Sequence, residues 1–169
     1  MSKFNGYEFY NDKQVVLTNG IPSAYINASS TTKITSVYVP ANTFTAGDIL
    51  SIEWVVQLTG TTGSGNFNSN LYWNETDDLT TPTQLTIRGV ANSNIRYQQN
   101  RRLSIAVANG TGNGSKIYGV ANALDSDFGA ATFVLSTVAL NWTVDSYIIL
   151  AGFCGLSVGV RTEFFKVSN

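Results

Sequence analysis

The stretch VYVPANTFTAGDILSIEWVVQL, Val37–Leu58, decides the fold. Val37-Tyr38-Val39 is β-branched and aromatic, the composition of a half-buried pleated strand. Pro40 removes a backbone donor, so the strand must end there or lie on an edge. Ala46-Gly47-Asp48 carries turn chemistry. From Asp48 the sequence alternates: Leu50, Ile52, Trp54, Val56 and Leu58 fall in one phase, and Ile49, Ser51, Glu53, Val55 and Gln57 in the other. A period of two over that length predicts a long strand with one strongly apolar face. Trp54 belongs to that face and is predicted to be buried. Ile49 and Val55 make the second face only partly polar, so contact there is expected too.

Working outward, Asn94–Ala108 repeats the pattern, and its second half, Leu103, Ile105 and Val107, is core-like. Shorter strands are expected at 14–18, around Leu85 and Ile87, at 117–121 and at 133–138. Val144–Phe153 and Val158–Val167 read as a final hairpin around Cys154-Gly155. Phe67–Asn74 alternates as well, with Phe67, Ser69, Leu71 and Trp73 in one phase. Thr59–Asn66, Glu75–Thr83 and Asn109–Lys116 are loops rich in turn residues. Short strands separated by turn signals, with no helical period, predict an all-β sandwich or barrel.

Two stretches carry a resemblance. The corner VPANTFTAGD, Val39–Asp48, resembles the second-strand corner of small β-domains in bacteriophage head-fibre and tail-fibre proteins. The run LNWTVDSYIILAGFCGLSVGVRTEFFKVSN, Leu140–Asn169, resembles the last hairpin of the same domains. Those domains are antiparallel jelly rolls that form trimers similar to those of tumour-necrosis-factor-like proteins. The resemblance implies an antiparallel jelly-roll sandwich associating as a homotrimer, with a structural role in a virion assembled in the host cytoplasm. It implies no catalytic residue.

Composition points the same way. Of 169 residues, 43% are hydrophobic and only 12% are charged, against about a quarter charged in an ordinary soluble domain. Asn, Thr, Ser and Gly supply the polarity, which suits a chain whose sides are covered by copies of itself. A net charge of −1 provides no basic footprint for nucleic acid. The absence of histidine removes the usual general base and the commonest metal ligand. The lone Cys154 allows no internal disulfide and reads as a buried thiol. No apolar leader opens the chain and no run reaches membrane-span length, so no membrane insertion is expected. No cofactor, metal or catalytic site is expected. The carboxylates show no spacing that selects a pair for glycoside hydrolysis, and Asp125 and Asp127 lack further calcium ligands. Arg96, Arg101 and Arg102 form the basic cluster, expected to pair with nearby carboxylates or to guard an edge.

Residues 1–20 are read as an N-terminal arm and 21–169 as the β-domain. Phe4, Tyr7, Phe9 and Tyr10 crowd the arm without a regular period, beside Asn-Gly and Asn-Asp turn signals. Such aromatics need cover. Either the domain's own sheet supplies it, or the arm attaches to another virion protein of the capsid, portal vertex or tail. A second functional class is a receptor- or glycan-binding tip for host adsorption, possible partners being bacterial surface glycans. Its candidate residues are Tyr72, Trp73, Asp77 and Asp78. Aromatic faces and polar side chains suit sugars, although Trp73 lies in the apolar phase of its strand.

Overall fold

The structure, a computed structural model, describes the backbone of residues 2–4, 7–9, 16–20, 22–27, 30–60, 65–92, 96–107, 115–120, 133–154 and 158–169. Side chains are described over 16–20, 22–27, 30–57, 68–85, 102–107, 138–153 and 159–169. The described elements are all β: β1 (Ser2–Phe4), β2 (Tyr7–Phe9), β3 (Val16–Asn19), β4 (Thr32–Val39), β5 (Ile49–Gly60), β6 (Gly65–Asn74), β7 (Thr83–Asn92), β8 (Arg96–Ala106), β9 (Ser115–Val120), β10 (Phe133–Val138), β11 (Ser146–Cys154) and β12 (Val158–Ser168). Among the described residues no helix is long and apolar enough to cross a membrane.

Two antiparallel sheets face each other. One has six strands in the order β10-β9-β8-β5-β12-β3, the other four in the order β4-β11-β6-β7. The long strand read from the sequence is β5, at the middle of the larger sheet, paired with β8 and β12. Its apolar phase is the core: Leu50, Ile52, Trp54 and Val56 are all 0% exposed. Leu103 and Ile105 of β8, Val160, Phe165 and Val167 of β12, and Val37, Leu71, Trp73, Ile148 and Leu150 of the smaller sheet belong to the same cluster. Burial is what stabilises the pair of sheets, at about 25 cal/mol per Å² of apolar surface.

The corner after β4 works as its residues require. Pro40 follows the last residue of β4, which is an edge strand. Asn42 takes a left-handed conformation (φ 59°), which Asn tolerates. Gly47 has φ 98°, a value that a side chain would strain. The Asp48 carboxylate accepts the Thr45 N–H at 2.7 Å. The corner then docks on the segment before β11. The Asn42 N–H donates to the Trp142 carbonyl at 2.8 Å, and the Phe44 and Trp142 rings meet edge to face at 5.6 Å. Both side chains are buried, so together they plug one end of the sandwich. The two stretches that carry the resemblance are thus in direct contact.

β11 and β12 do not form the hairpin expected of them. β11 lies between β4 and β6 in the smaller sheet, and β12 between β5 and β3 in the larger. Chain neighbours often pair, but Ile148, Ile149, Leu150 and Ala151 are all fully buried. A strand covered on both faces sits inside a sheet, and β4 and β6 flank it there. β12 also carries a bulge. Its register steps from Thr162 opposite Val56 to Phe164 opposite Val55, leaving Glu163 as the extra residue. This resets the phase, so that Val160 and Thr162 point inward before the bulge and Phe165 and Val167 after it.

Part of the segment read as the arm, and the chain after it, joins these sheets. Val16–Asn19 is the edge strand β3, paired with Phe165–Ser168. The chain continues along the same edge, where Ile26 and Val160 exchange two backbone hydrogen bonds of 2.8 Å. The Thr-rich segment after it is the regular strand β4. In the arm, β1 and β2 pair with each other around Asn5-Gly6, with Phe4 opposite Tyr7 and Ser2 opposite Phe9. Asn-Gly is a hairpin signal, which the reading of the arm as a segment without a regular period passed over. Tyr10, residues 61–64 and 108–114 of the segments read as loops, and Asp125 and Asp127 lie outside the described residues.

Candidate functional site

The end of the sandwich plugged by Phe44 and Trp142 also carries the loop 75–82 between β6 and β7 and the segment 139–145 before β11. The loop is built on Asn74, the last residue of β6, which is 8% exposed. Its Nδ2 reaches the carbonyls of Asp78 (3.0 Å) and Thr80 (3.2 Å) and the hydroxyl of Thr76 (3.0 Å), while its Oδ1 accepts the Glu75 N–H at 3.0 Å. The Asp78 carboxylate closes the same knot, accepting the Thr80 N–H at 2.7 Å and the Thr76 hydroxyl at 3.2 Å. The Thr80 N–H holds the Asp78 carboxyl below its ordinary range, against a smaller opposing effect of desolvation; the Thr hydroxyls and Lys33 add to the lowering.

Asp77 points elsewhere. Its carboxylate pairs with the Lys33 ammonium at 2.5 Å, and its carbonyl accepts from the same group at 2.9 Å. Lys33 is on β4 and the loop leaves β6, with β11 between them. The bridge therefore carries the loop back across β11. Ile149 and Ala151, the β11 residues in the phase opposite the core, are 0% exposed. The smaller sheet thus has a second, shallow buried layer on its outer side.

Tyr72 and Trp73 are adjacent on β6 and face opposite ways. Trp73 is 7% exposed within the core, opposite Ile148. Tyr72 lies half-buried on the outer side, where its hydroxyl accepts from Asn70 at 3.3 Å. Of the candidate ligand residues Tyr72, Trp73, Asp77 and Asp78, the Trp73 ring is therefore inside, Tyr72 is on the outer side, and both exposed carboxylates take part in holding the loop. A strand's alternation separates what adjacency in the sequence suggests.

Sequence reasoning missed a different group on the outer side of the smaller sheet. Tyr38 of β4 is 46% exposed and lies directly opposite Tyr147 of β11, the ring centroids 5.4 Å apart and tilted by 50°. The Tyr38 hydroxyl is hydrogen-bonded to the Asp145 carboxylate, which pushes the phenol above its ordinary value; partial desolvation and the Asp145 charge act the same way. Asp145 is itself positioned by the Ala41 N–H at 2.9 Å. The available signal was Tyr38 itself, a large aromatic in the outward phase between buried Val37 and Val39.

The outer face of the larger sheet carries the second phase of β5. A row of alternating charge crosses three strands there: Lys166, Glu53 and Arg102, with Glu53 4.0 Å from the first and 3.7 Å from the second. Arg102 thus pairs with a carboxylate as expected, on an interior strand rather than an edge; the side chains of Arg96 and Arg101 lie outside the described ones. Beside the row, Val55 and Phe164 are cross-strand partners and half-buried, and Ile49 is 63% exposed. At the far edge Arg161 stacks over Tyr25 at 4.6 Å, and both side chains bond Gln57.

No protein family, curated protein or solved structure matches this chain.

One expected result concerns the knot. Because the folded carboxyl of Asp78 is lowered, its contribution to stability is present above the unfolded value and is lost as pH falls through the folded one. An NMR titration should place Asp78 below the model-compound value of 3.8. A titration midpoint at or above it means that the Thr80 bond does not persist in solution.

Proposed function

We propose that this chain is a structural virion protein of a bacteriophage: a short trimeric head-fibre, capsid-decoration or tail-fibre component on the particle surface. In this reading the fold is a jelly roll. The observation that carries it is the strand order. With β1, β2 and the β9–β10 insertion set aside, β3-β12-β5-β8 faces β4-β11-β6-β7. The first strand lies beside the last, the third beside the last on its other side, and the second beside the next to last. Two interleaved Greek keys produce this order in an eight-stranded jelly roll. The corner resemblance at Val39–Asp48 supports the same reading.

The homotrimer draws support from the outer face of the larger sheet. Ile49, Val55 and Phe164 lie there beside a short charge row, an apolar and polar mixture suited to contact with another copy. The arm, with Phe4, Tyr7, Phe9 and Tyr10, is the proposed attachment element to a second virion protein. Light scattering should then give three times the 18.2 kDa chain mass. Deleting residues 1–12 leaves β3 in place and should preserve that mass while abolishing decoration of particles. A stable single-chain mass at micromolar concentration refutes the trimer, and normal decoration by the truncated protein refutes the arm. The second reading, a receptor- or glycan-binding module for host adsorption, is favoured by the exposed Tyr38 ring packed against half-buried Tyr147.

A further inference from the structure

Asn-Gly occurs in this chain at Asn5-Gly6, Asn19-Gly20, Asn109-Gly110 and Asn113-Gly114. Asn19-Gly20 is the pair that lies within the described residues. Asn19 ends β3, opposite Phe165 of β12, and Gly20 is the first residue beyond the strand and is exposed. The Asn19 side chain reaches the other sheet, where its Nδ2 donates to Thr35 Oγ1 of β4 at 2.7 Å. Thr35 is buried, so this bond stitches the two sheets together at the β3 edge. β3 is otherwise held by its pairing with Phe165–Ser168, by the Thr18 hydroxyl on the Phe165 carbonyl at 3.2 Å, and by Leu17 packed on the core.

We propose that Asn19-Gly20 is a site of spontaneous deamidation, gated by the Thr35 bond, whose isoaspartyl product loosens β3 from β12. The co-reactant is water. The Gly20 backbone nitrogen attacks Asn19 Cγ, forming an imide bond as the Cγ–Nδ2 bond breaks. Nδ2 leaves as ammonia, taking up through solvent the proton that the Gly20 nitrogen loses. Water then opens the succinimide at either carbonyl, giving Asp or isoaspartate. Glycine leaves the attacking nitrogen open, because it has no Cβ beside it. The fold adds the gate. The carboxamide must turn onto its own backbone to react, so the 2.7 Å bond to Thr35 has to break first. Strand ends open locally at less cost than whole-domain unfolding, and Asn19 is such an end. The two products differ. Asp has lost the donor, but its carboxylate accepts from the Thr35 hydroxyl, so the stitch survives with its polarity reversed. Isoaspartate routes the main chain through the side-chain carbon and lengthens it by a methylene at the residue paired with Phe165. β3 spans four residues, so a mismatch at its end removes a large share of its pairing.

The inference stands on the β3 edge of one chain and does not depend on the virion reading or on the trimer. The test ages the full chain in mildly alkaline buffer and follows the peptide containing Asn19 by mass spectrometry, with isoaspartate separated from Asp by chromatography. The parent should accumulate both acids at Asn19. Gly20→Ala should suppress them severalfold, and the fold accommodates the added methyl, which meets Thr18 Oγ1 at an ordinary 3.8 Å. Thr35→Val keeps the shape and removes the acceptor. It should speed the loss of ammonia about fivefold, the rate equivalent of one ordinary hydrogen bond. Hydrogen exchange should show β3 protection lost in the isoaspartyl form and retained in Asn19→Asp. The proposal is overturned if Asn19 stays an amide, if Gly20→Ala ages as the parent does, if Thr35→Val leaves the rate unchanged, or if the isoaspartyl form keeps its β3 protection.

Discussion

Replacing Trp54 by Ala is expected to lower the free energy of unfolding by about 3–5 kcal/mol, the range for truncating a large aromatic in a packed core. Trp54 lies on the central strand, is 0% exposed, and has Phe165 of β12 as its cross-strand neighbour. Its indole N–H donates to the Ser69 hydroxyl across the sandwich, but at 3.4 Å. That is a long bond, and an ordinary buried one contributes only about 1 kcal/mol net. Packing therefore outweighs it. Trp54→Phe retains most of the apolar surface while losing the donor, so it should cost markedly less than Trp54→Ala. Denaturant unfolding monitored by circular dichroism separates the two. If the Ala variant unfolds within about 1 kcal/mol of the parent, the two sheets are not held together at this point. If the Phe variant is as damaged as the Ala variant, the hydrogen bond has been undervalued.

Asn74→Ala is expected to cost about 2–4 kcal/mol, a large effect for a residue at a strand end. Truncation removes the donor shared by the Asp78 and Thr80 carbonyls and the acceptor of the Glu75 N–H. Groups that lose their partner while out of water cost about 1–3 kcal/mol each; solvent can reach part of this exposed loop, which keeps the total below the full sum. Asn74→Asp is nearly isosteric but should be worse at neutral pH, because it sets a second carboxylate beside that of Asp78, 3.4 Å from Nδ2 in the parent. Acidification to protonate the new group should then narrow the gap between the two variants. Hydrogen exchange should show lost protection at Glu75 and Thr80 in both. A loop that keeps its protection in Asn74→Ala would mean that the Lys33–Asp77 bridge alone holds it.

These two residues mark the division between what could be read locally and what could not. Trp54 was legible because a strand's side chains alternate whatever their partners: Leu50, Ile52, Trp54 and Val56 declare one face by spacing alone. The turn at Gly47 and the stop at Pro40 were legible for a similar reason, since each follows from the residue's own backbone restriction. The apolar second half of β8 and the all-β class follow from the same arithmetic. Asn74 looked like one polar residue among many, because its role depends on a loop folding back on it.

Sheet membership was beyond local reading. β11 and β12 are separated by a few residues and look like a hairpin, yet each finds its partners far along the chain, β11 with β4 and β6, β12 with β5 and β3. The bulge at Glu163 hides the true phase of β12 from any count of alternate residues. The loop after β6 is latched by Lys33 and Asp77, which are 44 residues apart. The Tyr38–Tyr147 pair exists only because β4 and β11 are neighbours in one register. Alternation, turns and composition are properties of a few consecutive residues, so the sequence by itself determined the strands and their apolar faces. Which strands meet, and which outward side chains are thereby gathered on one surface, is settled by burial shared among distant segments, and only the tertiary structure decided it.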